Sequence, residues 1–263
     1  MLTALLLFLV AGSPADKKLA DEHYRKGAAH FQSGRLNEAV AEFEAATRLA
    51  PADARAWKGV GMAHAAQSNF RLAENPFRKA CEIAPQDQDA CYYLGLASYN
   101  LSRYKDAIEA FHKALKSAGP VGRVHGALGR ALEALGQNDE AAERELREAI
   151  SKDDGRSPPD LDPRLELGAF LFRQGRLDEA QRALAEAVKA RPDSARVNFE
   201  LARVLVQFGR LEEAVTRLNE AVRLDPNHTA AHLLLGRVYF RLGRVADGER
   251  QTQLGRQLPP TQR

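Results

Sequence analysis

Apolar and small residues recur along this chain at intervals of three and four positions, with charged residues between them. This spacing places the apolar side chains on one face of an α-helix, so the pattern predicts amphipathic helices. It is clearest from Gly34 to Pro51, where Gly-Arg-Leu is followed by acidic residues, alanines and a proline. Since proline cannot continue a helix, it marks the predicted end of this one.

Close copies of the segment from Gly34 to Pro51 return at a fixed spacing. Gly-Arg-Leu recurs at Gly175–Leu177 and at Gly209–Leu211, each time followed by acidic residues, an alanine and a later proline. A fixed period of about 34 residues is typical of stacked helical hairpins. The sequence therefore predicts an array of repeats, each made of two helices.

Aligning the repeats by their period produces columns of similar side chains. Small side chains let two helices approach closely, and large apolar ones fill the space between paired helices. Two columns are alanines, Ala39, Ala73, Ala107, Ala180 and Ala214, and Ala46, Ala80, Ala114, Ala187 and Ala221. The large column is Phe43, Phe77, Phe111, Leu184 and Leu218, and the small column of the first helices is Gly27, Gly61, Gly95, Gly129, Gly168, Ala202 and Gly236.

With prolines closing the units at Pro51, Pro85, Pro192, Pro226 and Pro260, these columns resemble the tetratricopeptide repeat family. The resemblance covers nearly the whole chain. It implies an all-α fold, a right-handed superhelical solenoid of about seven helix-turn-helix repeats. First helices would line its concave side and second helices its convex side.

The predicted layout is a signal peptide over 1–15, a short lead over 16–19, repeats 1–4 over 20–154, an inserted loop over 155–160 and repeats 5–7 over 161–262. Asp153-Asp154-Gly155 followed by Ser157-Pro158-Pro159 predicts the loop. It is either a hinge between two binding halves or a surface loop that leaves the stack continuous.

Local signals predict where single helices begin. Asp53, Asp87 and Asp193 each follow a proline closely and are predicted to cap the next helix, as is Asp162 before Pro163. Pro76 falls inside a predicted second helix, where it would produce a kink or a late helix start.

The apolar run from Met1 to Gly12 is too short to span a bilayer and precedes the small-x-small sequence Ser13-Pro14-Ala15. This arrangement predicts a cleavable signal peptide and export to the periplasm or the extracellular space. In the alternative, the run packs as a cap on the first hairpin and the protein is cytoplasmic. No later segment approaches the roughly eighteen apolar residues of a membrane helix, so no span is expected in the mature chain.

The composition and charge of the chain bear on whether it binds nucleic acid. The chain is 44% hydrophobic and 28% charged, as in ordinary globular proteins, and its net charge of +3 arises from interleaved Lys, Arg, Asp and Glu. No concentrated basic segment is present, so nucleic acid is not an expected partner.

Nothing in the sequence predicts catalysis, a cofactor or a metal site. Helix packing accounts for the strong columns, and no glycine-rich phosphate loop is present. His228 and His232 lack a third ligand at a suitable spacing. His30 and His64 share a first-helix column and are expected to be hydrogen-bonded packing residues.

Cys81 and Cys91 are the two cysteines. They fall near the end of one predicted helix and the start of the next, and such antiparallel helices touch. Two interpretations stay open: a disulfide, which suits an exported protein, or, for Cys81, a small buried apolar residue.

The family resemblance implies a ligand in the concave groove, lined by first-helix residues that do not face the core. These are Tyr24, Phe31, Lys58, Tyr92, Tyr99, Arg130, Phe172, Arg173, Phe199, Arg203, Arg237, Phe240 and Arg241. Aromatic rings and arginines suit an extended acidic or apolar peptide. In the alternative, the arginines pair with Glu133, Glu166 and Glu200, and several of the aromatics serve only packing between repeats.

The expected function is therefore that of a non-catalytic scaffold or adaptor that binds an extended protein segment in the groove. The alternative is a self-assembling structural or envelope-assembly component that associates weakly through the ends of the solenoid.

Overall fold

The computed structural model describes residues 13–117, 119–153, 155 and 162–258. These residues form fourteen helices and no strand. The predicted fold class, an all-α solenoid of about seven helix-turn-helix repeats, is confirmed. The apolar run to Gly12, most of the predicted inserted loop and Pro260 lie outside the described residues. Among the described helices, none is long and apolar enough to cross a membrane.

Each repeat pairs a first helix with a second helix. The pairs are α1 (Pro14–Gln32) with α2 (Leu36–Leu49), α3 (Ala54–Ala66) with α4 (Phe70–Ile83), and α5 (Gln88–Asn100) with α6 (Tyr104–Leu115). Next in the chain are α7 (Gly122–Leu135) and α8 (Asp139–Ser151). The remaining pairs are α9 (Pro163–Arg173) with α10 (Leu177–Ala190), α11 (Ala195–Gln207) with α12 (Leu211–Leu224), and α13 (Thr229–Arg241) with α14 (Val245–Gln257).

The chain divides into two compact units between Ala142 and Glu143, within α8. We call the part up to Ala142 unit 1 and the part from Glu143 unit 2. Within the units, the second helices α2, α4, α6, α10 and α12 pack against their own first helix and against the first helix that follows.

The turn inside each repeat contains a residue with left-handed backbone conformation. Five repeats use glycine there, as at Gly175 with φ 74°, whereas Ser68 and Ser102 adopt φ 60° and 58° at the equivalent positions. A Cβ built on Gly175 has no neighbour within 4 Å, so its backbone conformation, and not crowding, favours glycine.

In the repeat formed by α9 and α10, the arginine of the Gly-Arg-Leu segment also contacts the preceding repeat. Arg176 precedes α10, and its guanidinium donates to Glu179 in the first turn of that helix at 2.7 Å. The same guanidinium pairs with Glu143 on the preceding second helix. The segment therefore supplies a left-handed turn, an ion-pair donor and the first residue of the second helix.

The predicted core columns are confirmed. Every alanine of both alanine columns is buried, as are Phe43, Phe77, Phe111, Leu184 and Leu218. The residues of the small column let the two helices of a repeat lie close together. A Cβ on Gly61 would lie 2.6 Å from the Phe77 ring, so a larger residue would displace that ring. Large and small residues on paired helices thus interlock.

The predicted helix caps are right at three sites and wrong at one. Asp53, Asp87 and Asp162 accept hydrogen bonds from the first-turn amides of α3, α5 and α9. Asp193 is not the cap of α11. That helix begins one residue later than this assignment requires, and the buried Ser194 accepts from the Val197 amide at 3.2 Å instead.

The second helix that contains Pro76 does not start late. α4 begins at Phe70, six residues before the proline, and continues through it to Ile83. The ring of Pro76 is buried. Packing of the apolar face therefore keeps the helix intact despite the missing amide, whose acceptor would be the Leu72 carbonyl.

A disulfide joins Cys81 in α4 to Cys91 in α5, with the Cα atoms 4.8 Å apart. Cys81 is 5% exposed and Cys91 is fully buried. The bond links the second repeat to the third within unit 1. By the chain-entropy argument, closing so short a loop contributes roughly 3 kcal/mol.

Candidate functional site

The predicted groove residues fall on two surfaces, one in each unit. The first-helix face of unit 1 is Tyr24, Phe31, Lys58, Tyr92, Tyr99 and Arg130. The first-helix face of unit 2 is Phe172, Arg173, Phe199, Arg203, Arg237, Phe240 and Arg241, which lie on α9, α11 and α13.

In unit 1, the first predicted residues support the local core. The ring centroids of Tyr24 and Phe43 are 5.6 Å apart, and the Arg55 guanidinium lies 5.2 Å from the Tyr24 ring. Phe31 is half-buried against the cluster that contains Phe43 and Val60. Both rings are therefore largely engaged by neighbouring repeats.

Lys58 and Tyr92 are engaged more completely. The Lys58 ammonium lies 2.6 Å from Asp87, the cap of the next first helix. Tyr92 is only 6% exposed, with its ring against Phe111 and the Arg123 guanidinium 4.6 Å away. Tyr92 is thus a core residue and does not line an open groove, because the cation covers its outer surface.

Tyr99 and Arg130 complete the first-helix face of unit 1. The Tyr99 ring lies 5.5 Å from that of Tyr104, and Arg130 is half-buried. Most of the predicted residues of unit 1 therefore serve packing between helices and offer a partner only their edges.

In unit 2, Arg203 organises the central part of the face. Its guanidinium lies 4.5 Å from the Phe172 ring and 6.0 Å from the Phe199 ring. It also donates to the Glu200 carboxylate at 2.6 Å. Arg203 thus meets the expectation that groove arginines pair with glutamates of the same face, while Glu166 pairs with Arg196.

Phe199 has a second neighbour that the sequence did not identify as part of the face. Its ring centroid lies 4.8 Å from that of His228, which precedes α13 and accepts from the Ala231 amide. Burial lowers the pKa of His228 below its usual value, despite the opposing pull of Asp225. His228 occupies the repeat position that Asp53 and Asp87 hold in earlier repeats. Because that position caps the next first helix, the alignment of the repeats could have predicted that His228 caps α13 and lies beside Phe199.

The part of the face on α13 is open. Phe240 is 43% exposed. A Cβ on Gly248 would lie 2.8 Å from this ring, so the ring packs against α14 on one side only. Arg237 and Arg241 are exposed, as is Arg173 on α9. Among the described residues, neither Arg237 nor Arg241 has an ion-pair partner.

The histidines do not form a metal site in the part of the chain that the structure describes. His232 is buried, and its Nε2 lies 3.0 Å from the Pro226 carbonyl oxygen. The expected hydrogen bonds of His30 and His64 are not all present, because the buried Nδ1 atoms of both have no partner among the described residues.

A concavity of about 370 Å³ in unit 2 lies among α8, α9 and α10, away from α11 and α13. Two of its arginines are already paired, Arg147 with Glu143 and Arg164 with Asp153. It is therefore a weaker candidate than the face on α9, α11 and α13.

Family comparisons agree with the architecture. One family model described as tetratricopeptide repeat matches residues 24–88 and 92–159. A second with the same description matches residues 140–198, 171–227 and 205–258. No curated protein matches the sequence of the chain.

Several solved structures share the fold. A tetratricopeptide repeat protein from Parabacteroides merdae matches with a TM-score of 0.72 and 15% identity, over 93% of this chain and 95% of that one. The Cut9–Hcn1 hetero-tetramer of the APC/C matches with a TM-score of 0.70 and 18% identity, over 90% of this chain but only 46% of that one. YrrB, titled a TPR protein with an unusual peptide-binding site, matches with a TM-score of 0.51 and 24% identity, over 72% and 95% of the two chains.

Proposed function

The chain belongs to the tetratricopeptide repeat family, and we propose that it is a non-catalytic scaffold that binds an extended segment of a partner protein on the first-helix face of unit 2. A protein-interaction scaffold is what the fold supports in general. Binding on this particular face is our inference from its side chains.

The observation that carries the proposal is the presence of an aromatic ring on each of three successive first helices. Phe172, Phe199 and Phe240 lie on α9, α11 and α13, and Arg203 holds the first two rings in place. Rigid aromatic rings give large contact areas with little loss of side-chain entropy, so they are effective anchors for a bound chain. YrrB, which shares the fold, is described as having a peptide-binding site.

The first-helix face of unit 1 is less suitable. Tyr92 is buried under Arg123, and Lys58 is neutralised by Asp87. A partner would have to break these contacts before it could use either side chain. Unit 2 offers Phe240 and two arginines without that cost.

Site-specific photo-crosslinking tests the proposed face. A photoreactive amino acid replaces Arg173, which is exposed on the first helix α9, or Arg182, which is exposed on the paired second helix α10. Capture is done from the native extract, and mass spectrometry identifies the attached segment. We expect one partner segment attached at position 173 and none at 182. Attachment at position 182 alone would place the binding surface on the second helices and refute the proposal.

We also propose that the protein is exported. The apolar run before Ser13 and the disulfide between Cys81 and Cys91 support this, because disulfides persist in oxidising compartments. Cleavage after Ala15 would remove Ser13, which caps α1 by accepting from the Asp16 amide. N-terminal sequencing of the native protein should return Asp16. A sequence beginning at Met1, from a cytosolic pool, would show that the run is retained.

Self-assembly through the ends of the array has less support. The terminal helices α1 and α14 have formal net charges of +1 and 0, so opposite charge does not attract one end to the other. Size-exclusion chromatography over a hundredfold range of concentration should show one elution volume. A shift toward larger species with concentration would favour the self-assembly alternative.

A further inference from the structure

The last first helix, α13, presents an arrangement that helix stability does not explain. Arg237 and Arg241 are one turn apart and both exposed. Like charges at this spacing weaken a helix slightly, because they repel each other. Arg241 gains some compensation as the last residue of the helix, where the dipole favours a cation, but Arg237 stands a full turn earlier.

Comparison with the preceding repeat shows what is missing around Arg237. Arg203 occupies the same repeat position and is neutralised by Glu200, three residues earlier, at 2.6 Å. Three residues before Arg237 stands Leu234, which is buried. The last repeat therefore keeps the arginine without the carboxylate that balances it in the preceding repeat.

The aromatic ring of Phe240, next to Arg241 in the sequence, is also exposed. Phe172 has the Arg203 guanidinium of the following first helix 4.5 Å from its ring. Phe240 holds the same position in the last repeat, and it is 43% exposed. Residues 237, 240 and 241 lie within about one turn on the same side of α13, so the exposed ring and the two exposed arginines are neighbours on the helix surface.

Positive charge is also concentrated in this repeat. Residues 229–258 contain five arginines but only two acidic residues, a formal charge of +3 that equals the charge of the whole chain. One of those acids, Asp247, is shared by Arg244 and Arg250. The rest of the chain is balanced, so an anionic partner would be drawn to this end of unit 2.

We infer that Arg237, Phe240 and Arg241, which we call the α13 anchor, bind an acidic segment of the partner protein. A carboxylate would lie between the two guanidiniums and an adjacent apolar side chain would cover Phe240. This inference rests on the proposed function and adds the chemistry of the ligand and the repeat that recognises it. Arginine suits the role because its planar guanidinium can donate two parallel hydrogen bonds to one carboxylate.

A protein segment fits the α13 anchor better than a nucleic acid does. Binding to a nucleic-acid backbone needs a groove whose cations track successive phosphates. On α11, Arg203 pairs with Glu200, and Arg196 near the start of the same helix pairs with Glu166. Arg237 and Arg241 lie one turn apart on a single helix, which matches one or two carboxylates.

Fluorescence anisotropy with defined peptides tests the inference. The probe is a fluorescein-labelled octapeptide made of two Glu-Phe-Glu-Leu units, and its matched control has glutamine at every glutamate. A single-stranded RNA octamer with the same label is the third probe. We expect the acidic peptide to bind at least about tenfold more tightly than the glutamine peptide and the RNA, and its affinity to fall as salt is raised.

Two double variants with the same change of charge locate the site. R237E/R241E alters the α13 anchor, whereas R182E/R256E alters two exposed arginines on the second helices α10 and α14. The first should weaken binding of the acidic peptide by more than about tenfold and the second by less than about threefold. R237Q/R241Q, which removes charge without reversing it, should give an intermediate loss and keeps the test valid if R237E/R241E fails to fold.

The outcomes separate this inference from the proposed function. Suppose that the acidic and glutamine peptides bind equally well and that crosslinks still form at position 173. The proposed function would then stand, but the inference that the α13 anchor recognises acidic side chains would be refuted. Tighter binding of RNA, equal losses in both double variants, or no binding of the acidic peptide would each overturn the α13 anchor. Absence of both peptide binding and crosslinks at position 173 would remove the proposed function as well.

Discussion

Single residues in the turns show how much an unfavourable backbone conformation lowers the stability of the folded state. Ser68 and Ser102 adopt the left-handed conformation that glycine adopts in the five other repeats. For a residue with a Cβ, this conformation costs about 1–2 kcal/mol. Part of that cost is recovered because serine is less flexible than glycine in the unfolded chain.

Replacing Ser102 with glycine should therefore raise the free energy of unfolding by up to about 1 kcal/mol. The reciprocal change, Gly175→Ser, should lower it by a similar amount, although nothing within 4 Å crowds the new Cβ. Urea unfolding of both variants checks the pair. A loss of stability in S102G would mean that the serine side chain makes a contribution that its φ does not reveal.

The close packing at the alanine columns predicts that a larger side chain there will destabilise the fold. Ala107 is fully buried, whereas Lys105 on the same helix is exposed. Ala107→Leu should overpack the helix pair and cost about 1–3 kcal/mol, several times the effect of Lys105→Leu. Equal urea midpoints for the two variants would show that the column does not lie at a close contact.

Residue types in the repeat columns could be predicted because packing fixes them. Ala107 and Phe111 are determined by the space between two helices, and the period of the repeat reveals that space. Tyr92 was assigned to the groove because the family resemblance implies that this first-helix position does not face the core, but Arg123 covers the ring in this repeat. That cation comes from the next helix, so a single column cannot reveal it.

At the scale of elements, the helices are held in register by ion pairs between successive second helices and the turns that follow. Hydrogen bonds from Arg176, and then from Arg147, hold the pKa of the Glu143 carboxyl below its usual value near 4.5, against the effect of burial. A carboxylate with a lowered pKa stabilises the folded state above its unfolded pKa, and this stabilisation is lost as pH falls through the folded pKa.

Glu143→Gln should therefore reduce stability by less than about 1 kcal/mol at pH 7, and this deficit should shrink between pH 7 and acid as the pH falls through the folded pKa of Glu143. Glu140→Gln is the matched control, since Glu140 is exposed on the same helix. Thermal unfolding across this pH range measures the difference. If E143Q stayed less stable than the unaltered protein by the same amount in acid, the loss of stability would come from changed packing or hydrogen bonding and not from the lost charge.

Helix boundaries were predictable where the cap lies next to the helix in sequence, and less so where packing decides. Asp87 was identified correctly, whereas the cap of α11 shifts from Asp193 to the buried Ser194. Pro76 was expected to disturb α4, yet the helix begins at Phe70 because its apolar face is anchored on neighbouring helices. Tertiary packing thus outweighs local propensity in both cases.

For the whole molecule, the repeat period was enough to predict the class of fold and its family. It could not identify the binding surface, because most aromatic and basic side chains of the first helices also satisfy one another. The distinction between Arg203, which is paired, and Arg237, which is not, depends on whether Glu200 or Leu234 stands three residues earlier. That difference becomes interpretable only when the ion pair of Arg203 is seen.

The central claim is that a partner segment binds the first-helix face of unit 2. Hydrogen exchange followed by mass spectrometry tests it most directly, on the chain alone and with the partner captured at position 173. Binding should slow exchange in α9, α11 and α13, with the largest change around Phe240, and leave α10 and α12 unchanged. Protection confined to α10 and α12, or to unit 1, would contradict the account.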